Sequence, residues 1–161
     1  VYVAFVIDAY SRRILGWRSA TTMTTQLVLD AVEHAIWARQ RDGVQDLTGL
    51  IHHNDRGSQY TAIAFTDRLA QAGIDASIGT TGDSYDNALA ETINGLYKTE
   101  LITPRGPWRT VEQVEVATLE WVDWFNHRRL YEHNGDIPPV ELEQAYYAQI
   151  RAQQSAALSN Q

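Results

Sequence analysis

Two acidic residues stand where a metal-dependent reaction can be built. Asp55 lies in His52-His53-Asn54-Asp55-Arg56-Gly57-Ser58-Gln59-Tyr60, at the end of a short apolar run and just before a glycine turn. An Asx-type turn that caps the next helix explains the same residues, and both readings stay open at this point. Glu91 belongs to the row Asn87, Glu91, Asn94 and Lys98, which a turn of about 100° per residue gathers into one stripe. Leu89, Ile93, Leu96 and Tyr97 fall on the other side. A solvated helix face has the same pattern. Carboxylates brought together from neighbouring elements hold hard cations such as Mg²⁺, and such ions support in-line displacement at phosphorus. His52 and His53 do not suit one shared ion, because adjacent strand residues point to opposite faces.

The surrounding elements read as a mixed α/β sheet covered by helices. Val1 to Ile7 is an almost unbroken apolar run, which suits a strand buried on both faces. Asp8 to Ser11 turns the chain, and Arg12 to Ala20 returns as the second strand of a hairpin. Thr24 or Thr25 caps a helix to about Arg41, with Leu27, Val28, Ala31, Ala35 and Ala38 at helical spacing. Leu50 to Asn54 and Ile74 to Ile78 read as strands, and Thr61 to Ala72 as a helix closed by Gly73. Further helices are expected over Asp86–Ile102, Thr110–Leu130 and from Pro139 to about Gln153, with a frayed tail after Ser155. Trp121, Trp124, Phe125, Val114 and Ala117 form an aromatic and apolar stripe expected in the core or against a partner subunit. In sheets of this type, function gathers at strand ends, which directs attention to Asp55 and to the loop before Asp86.

Composition sets the outer limits. The chain has 161 residues, 44% hydrophobic and 20% charged, which suits one domain with a real core. It has no cysteine, so disulfides, thiolate metal sites and Cys nucleophiles are excluded. A net charge of −7 argues against gripping DNA through bulk positive charge. It does not exclude an enzyme that acts on DNA through metal-binding carboxylates. Local basic clusters occur at Arg12-Arg13 and His127-Arg128-Arg129, readable as DNA-backbone contacts or as a solvated turn and a helix C-terminus. No apolar run reaches the ~20 residues of a membrane helix.

The segments VIDAYSRRILGW, HHNDRGSQYT, GDSYDNALAETINGLYKTEL and WFNHRRLYEHNGDIPPVELE resemble the catalytic core of insertion-sequence transposases of the retroviral-integrase type, closest to the IS-three family. The resemblance runs from Val1 to about Tyr147. It implies a ribonuclease H-like mixed sheet with flanking helices and an Asp, Asp, Glu triad with 35 residues between its last two members. Asp55 and Glu91 stand at that separation, so the resemblance makes them catalytic and metal-binding, for Mg²⁺ or Mn²⁺. It makes Lys98 a DNA contact, and Asn87, Asn94, Arg128 and Arg129 complete the expected DNA-binding set. It also implies that the first Asp and its strand precede Val1. Asp8 is then structural, and this chain alone is inactive. The expected domains are a partial integrase-type catalytic core over 1–135 and a C-terminal helix and tail over 136–161.

The expected function is metal-dependent DNA strand cleavage and strand transfer during transposition. The expected partners are transposon-end and target DNA, with a homo-oligomer as the active form. No membrane is involved, and the expected location is the bacterial cytoplasm at the nucleoid. One alternative is a catalytically dead remnant that keeps only nucleic-acid or partner binding. Another is a two-carboxylate glycosidase, which leaves the spacing unexplained.

Overall fold

The computed structural model describes residues 1–43, 51–54, 63–78 and 83–159. Strands β1 (Tyr2–Ile7) and β2 (Ile14–Ala20) form the antiparallel hairpin, from Tyr2 opposite Ala20 to Val6 opposite Gly16. The register shifts between Val6 and Ile7. Helix α1 (Thr25–Arg41) follows, then β3 (Ile51–Asn54), α2 (Ile63–Gln71), β4 (Asp75–Ile78) and α3 (Asp83–Tyr97). A π-helical turn, Lys98–Ile102, and a short α-turn, Thr103–Arg105, continue α3 without a break. Helices α4 (Val111–His127) and α5 (Pro139–Ser159) complete the order.

In place of one mixed sheet, the described strands form two separate pairs, antiparallel β1–β2 and parallel β3–β4. No ladder joins the two pairs among the described residues. Helices cover the hairpin on both sides, as the apolar run of β1 predicts. Ala4 packs with Leu27 and Ala31 of α1. Val3, Phe5 and Ile7 face the larger cluster of Ile93, Tyr97, Leu101, Trp121, Val122 and Phe125. This alternation is the period-two geometry of a strand. The Phe5 and Tyr97 rings meet edge to face at 5.0 Å. On α1's other flank, Val28, Val32 and Ile36 pack on Leu69 of α2.

Local signals explain most boundaries. Thr24 caps α1 by accepting from the Leu27 N–H at 3.2 Å, and Thr110 caps α4 through Gln113 in the same way. Helix α4 stops at His127, short of Leu130, because the N–H groups of Arg128 and Arg129 both turn back to the Trp124 carbonyl. Helix α5 runs on to Ser159, past the expected fraying point, through a stretch rich in the helix formers Ala and Gln.

Gly16 allows β2 to lie directly on α1. A Cβ at this position would sit 2.3 Å from the Ala31 carbonyl oxygen and 2.6 Å from the Ala35 nitrogen. Both neighbours are backbone and cannot swing away. Gly16→Ala is therefore expected to destabilise the fold by about 3 kcal/mol through overpacking, measured as a lower urea midpoint at unchanged slope. A midpoint equal to that of the parent would refute the close approach.

The hairpin turn is fixed by charge. Asp8 Oδ1 accepts from the N–H groups of Tyr10 and Ser11, both at 2.9 Å, and Oδ2 pairs with Arg39 at 2.7 Å. Asp8 is thus a turn residue, as expected. The Arg12-Arg13 doublet departs from both of its sequence readings. Arg12 is buried at φ 66° with its guanidinium on the Ala9 carbonyl, and Arg13 pairs with Asp42 and Glu143. Neither a solvated turn nor an open DNA contact describes them: Arg12 folds back on its own turn, and the distant acids Asp42 and Glu143 draw Arg13 inward. Glu143 at the start of α5 completes the cluster. It accepts from Ser11 (2.8 Å), Arg13 (3.0 Å) and both terminal nitrogens of Arg39 (2.8 and 2.9 Å). Burial pushes its carboxyl up, but these donors and the positive charges outweigh that and hold it below the usual carboxylate value. Burial alone would lower Arg39, but the negative charges of Glu143 and Asp8 outweigh it and raise its pKa.

Candidate active site

The stretches that flank the expected site residues meet the described structure at one end of the parallel pair. Ile51 lies opposite Asp75, and Asn54 opposite Ile78. The chain therefore leaves β3 toward Asp55, and leaves β4 toward α3, at the same edge. Asp55 itself, with the Gly57–Tyr60 turn, lies outside the described residues. Helix α3 begins at Asp83, three residues before the expected start.

Along α3 the two sides separate as the periodicity predicts. Ile93 and Tyr97 are buried, while Leu89 and Leu96 pack against the same cluster. The Tyr97 hydroxyl meets Thr118 Oγ1 of α4 at 2.6 Å; burial raises its pKa, against the opposing effect of that bond. Glu91, Asn94 and Lys98 are exposed on the other side. Asn87 sits on α3, with a side chain outside the described set. Glu91 and Lys98 are seven residues apart, which places them about 20° apart in azimuth and about 10 Å apart along the axis.

The basic cluster after α4 divides. Arg128 is exposed. Arg129 is turned inward: its guanidinium pairs with Glu100 and lies over Trp124, Phe125 and Tyr131 at 5.3–5.8 Å. Trp124, expected in the core or against a partner subunit, lies outside the buried part of the stripe. Trp121, Phe125, Val114 and Ala117 are buried, whereas Trp124 is 40% exposed and stacks on Arg129. Glu100 was not singled out by the sequence reading. Its place beside the buried row Ile93, Tyr97 and Leu101 is the signal that would have found it.

The donor chemistry fits a hard divalent cation. Glu91 offers carboxylate oxygens on an exposed helix face, and Asp55 follows directly from a strand end at the edge that leads to the same helix. Among the described residues, no group of three or more His, Cys, Asp or Glu side chains forms a metal site.

Comparison with known proteins decides the family. The chain matches the Integrase core domain family over residues 1–84, just over half its length, and a second Integrase core domain family over 72–139. The chain belongs to the integrase core domain family. A protein of Mycobacterium tuberculosis described as a transposase for insertion sequence element IS986/IS6110 is 72% identical over 148 residues, which cover 92% of this chain and 53% of the relative. The InsF transposase of insertion sequence IS3A from Escherichia coli K12 is 36% identical over 145 residues, covering 89% and 48%. The relatives thus include a transposase of insertion sequence IS3A, the type that the motifs resemble. This integrase core spans about half the length of the transposases it matches. In fold it is similar to the catalytic core domain of BIV integrase, with a TM-score of 0.65, 18% identity and coverage of 92% of this chain and 89% of the other. The ribonuclease H-like α/β fold follows from that likeness. Among the described residues no helix is long and apolar enough to cross a membrane.

Proposed function

We propose that this integrase core carries the metal-dependent strand cleavage and strand transfer steps of transposition, with Asp55 and Glu91 as catalytic carboxylates. The observation that carries the reading is the shared exit edge of β3 and β4, which leads the chain to Asp55 from one strand and to the Glu91 helix from the other. Asp55 and Glu91 would hold Mg²⁺ or Mn²⁺, which when bound supplies charge neutralisation for in-line displacement at phosphorus. The chain's own residues bind and orient the DNA beside them. Lys98 offers an ammonium to a backbone phosphate, Asn94 and Asn87 offer amide donors on the same stripe, and Arg128 extends the contact from the end of α4. Arg129 belongs to the expected DNA-binding set as well, and its pairing with Glu100 leaves it less charge to give.

Charge distribution supports this choice of face. Helix α4 carries Glu112, Glu115, Glu120 and Asp123 and would repel a phosphate backbone. The same side presents exposed Val116 and Leu119, with Trp37 exposed on α1, which suits a second copy of the chain in a homo-oligomer. Residues 1–135 form the core in this reading, and 136–161 a C-terminal helix that braces it. The protein acts on DNA in the bacterial cytoplasm, at the nucleoid.

The test uses a transposase carrying this core, labelled transposon-end DNA and a target plasmid. Joined product that requires Mg²⁺ or Mn²⁺ and disappears with EDTA is the expected result. DNA binding with no product in either ion would instead identify a catalytically dead remnant. Lys98→Ala is expected to weaken duplex binding about fivefold, evenly across sequences, and to lower the salt slope by about one. Anisotropy titrations at several salt concentrations check this, and an unchanged slope would remove Lys98 from the DNA contact.

A further inference from the structure

The helical rod from Asp83 to Arg105 contains one widened turn, and that turn begins at Lys98. The Thr103 N–H bonds back five residues to the Lys98 carbonyl, while Tyr97 (φ −57°, ψ −47°) and Thr103 (φ −70°, ψ −49°) keep right-handed helical angles. The rod is therefore neither kinked nor broken. It changes pitch. The Thr99 hydroxyl donates to the Gly95 carbonyl at 3.0 Å, so a side chain occupies an acceptor where the pitch changes. Single π turns inside α-helices gather at functional positions.

The burial pattern explains why the turn is wound this way. Ile93, Tyr97 and Leu101 are all buried, at a spacing of four. In an unbroken α-helix such a row creeps about 40° at each step. A turn of more than four residues takes back part of that creep, so Leu101 stays on the core side. Glu100 is then drawn in beside it, against α4. Its Oε2 accepts from Trp121 Nε1 at 3.0 Å, and its Oε1 pairs with the Arg129 guanidinium, which is itself stacked among Trp124, Phe125 and Tyr131. An apolar side chain would fill this place without the desolvation cost of two charges. What the charged pair adds is direction: it ties the turn to α4 and to the segment after it.

We propose that Glu100 is a positioning residue whose carboxylate, held by Trp121 and Arg129, pins the π turn at its place after Tyr97, so that the stretch from Glu91 to Lys98 stays regular α-helix and keeps both residues on one face. The inference rests on the reading of Lys98 as a DNA contact. Without the tether the widened turn is free to migrate back along α3, and an extra residue accommodated between Glu91 and Lys98 would rotate Lys98 by about 100°, off the Glu91 face.

The chain contains no cysteine, so labels can be placed without background. Lys98→Cys paired with Gln71→Cys on exposed α2 carries two spin labels, and their distance distribution reports the rotation of the turn. A single narrow distribution is expected with Glu100 in place. It should broaden or split in Glu100→Ala and stay narrow in Glu100→Gln, which keeps acceptor oxygen and shape. In parallel, the Lys98→Cys protein is offered a DNA duplex with a phosphate-tethered disulfide. Cross-linking is expected to fall about tenfold in Glu100→Ala and to stay within about threefold of the parent in Glu100→Gln. If Glu100→Ala does not fold, Trp121→Phe, which removes the indole donor together with one ring of a buried side chain, replaces it in both measurements, with Trp121→Leu, equally without a donor, as the packing control. An unchanged distance distribution in the tether-deficient variant overturns the proposal. Failure of the parent Lys98→Cys protein to cross-link counts against Lys98 as a DNA contact, and the distance distribution alone then decides the positioning role.

Discussion

In a transposase carrying this core, Glu91→Gln is expected to cut strand transfer by about a thousandfold or more while thermal unfolding stays where it was. The two halves of that expectation have separate grounds. Glu91 is exposed on the side of α3 opposite Ile93 and Tyr97, so removing its charge takes nothing from the core. Surface changes of this kind stay within roughly 0.5 kcal/mol. The catalytic loss follows because an amide is a poor ligand for a hard cation. Forfeiting several kcal/mol of charge stabilisation at phosphorus costs about tenfold for each 1.4 kcal/mol. Strand transfer retained at more than about a tenth of the parent rate would remove Glu91 from the reaction.

The largest expected loss of stability comes from Glu143→Ala. One carboxylate gathers donors from Ser11, Arg13 and Arg39, residues more than a hundred positions away along the chain. Arg39 is only 8% exposed, and truncating Glu143 leaves its charge buried with Asp8 and Asp42 as the remaining acids. Breaking one side of such a cluster costs about 3–5 kcal/mol, a large share of a typical domain's stability. Urea unfolding measures it, and a shift below about 1 kcal/mol would show that the cluster contributes little. The Glu143 carboxyl is held below its ordinary value of 4.5, so its contribution is complete above that pH. It drains away as the solution is acidified through the lowered value. Glu143→Gln should flatten the fall in stability below about pH 5 relative to the parent.

The parts of this molecule that could be read from its sequence are those set by near neighbours. The cap at Thr24 or Thr25, the helix start at Thr110, the two-sided burial of β1 and the exposed row through Glu91 each depend on residues within a turn or a strand. The resemblance carried the rest of the site, because the separation of Asp55 from Glu91 has no local meaning. What stayed hidden depends on distant pairing. Arg13 read as surface charge because Glu143, a neutralising neighbour, is 130 residues away. Trp124 read as part of one stripe, in the core or against a partner, because an aromatic near Trp121 and Phe125 fits a helical pattern; its exposure and its stacking on Arg129 put it on the flank. The π turn escaped because a fixed 3.6-residue period cannot register a change of pitch.

The anchoring of α5 has a consequence for how its outer half exists at all. Pro139 and Glu143 are its buried residues, and every described position from Gln144 onward except Ile150 is exposed. A free helix of that length is marginal in water, because closing its first turn is unfavourable while each later residue adds little. Here the first turn is already closed by the docking of Glu143, so nucleation is complete before the exposed part begins. The sixteen residues that follow need only propagate, over a reach of about 24 Å. Amide exchange should therefore quicken step by step toward Ser159. Loosening Glu143 should melt the whole outer half together, although no side chain in that half is altered.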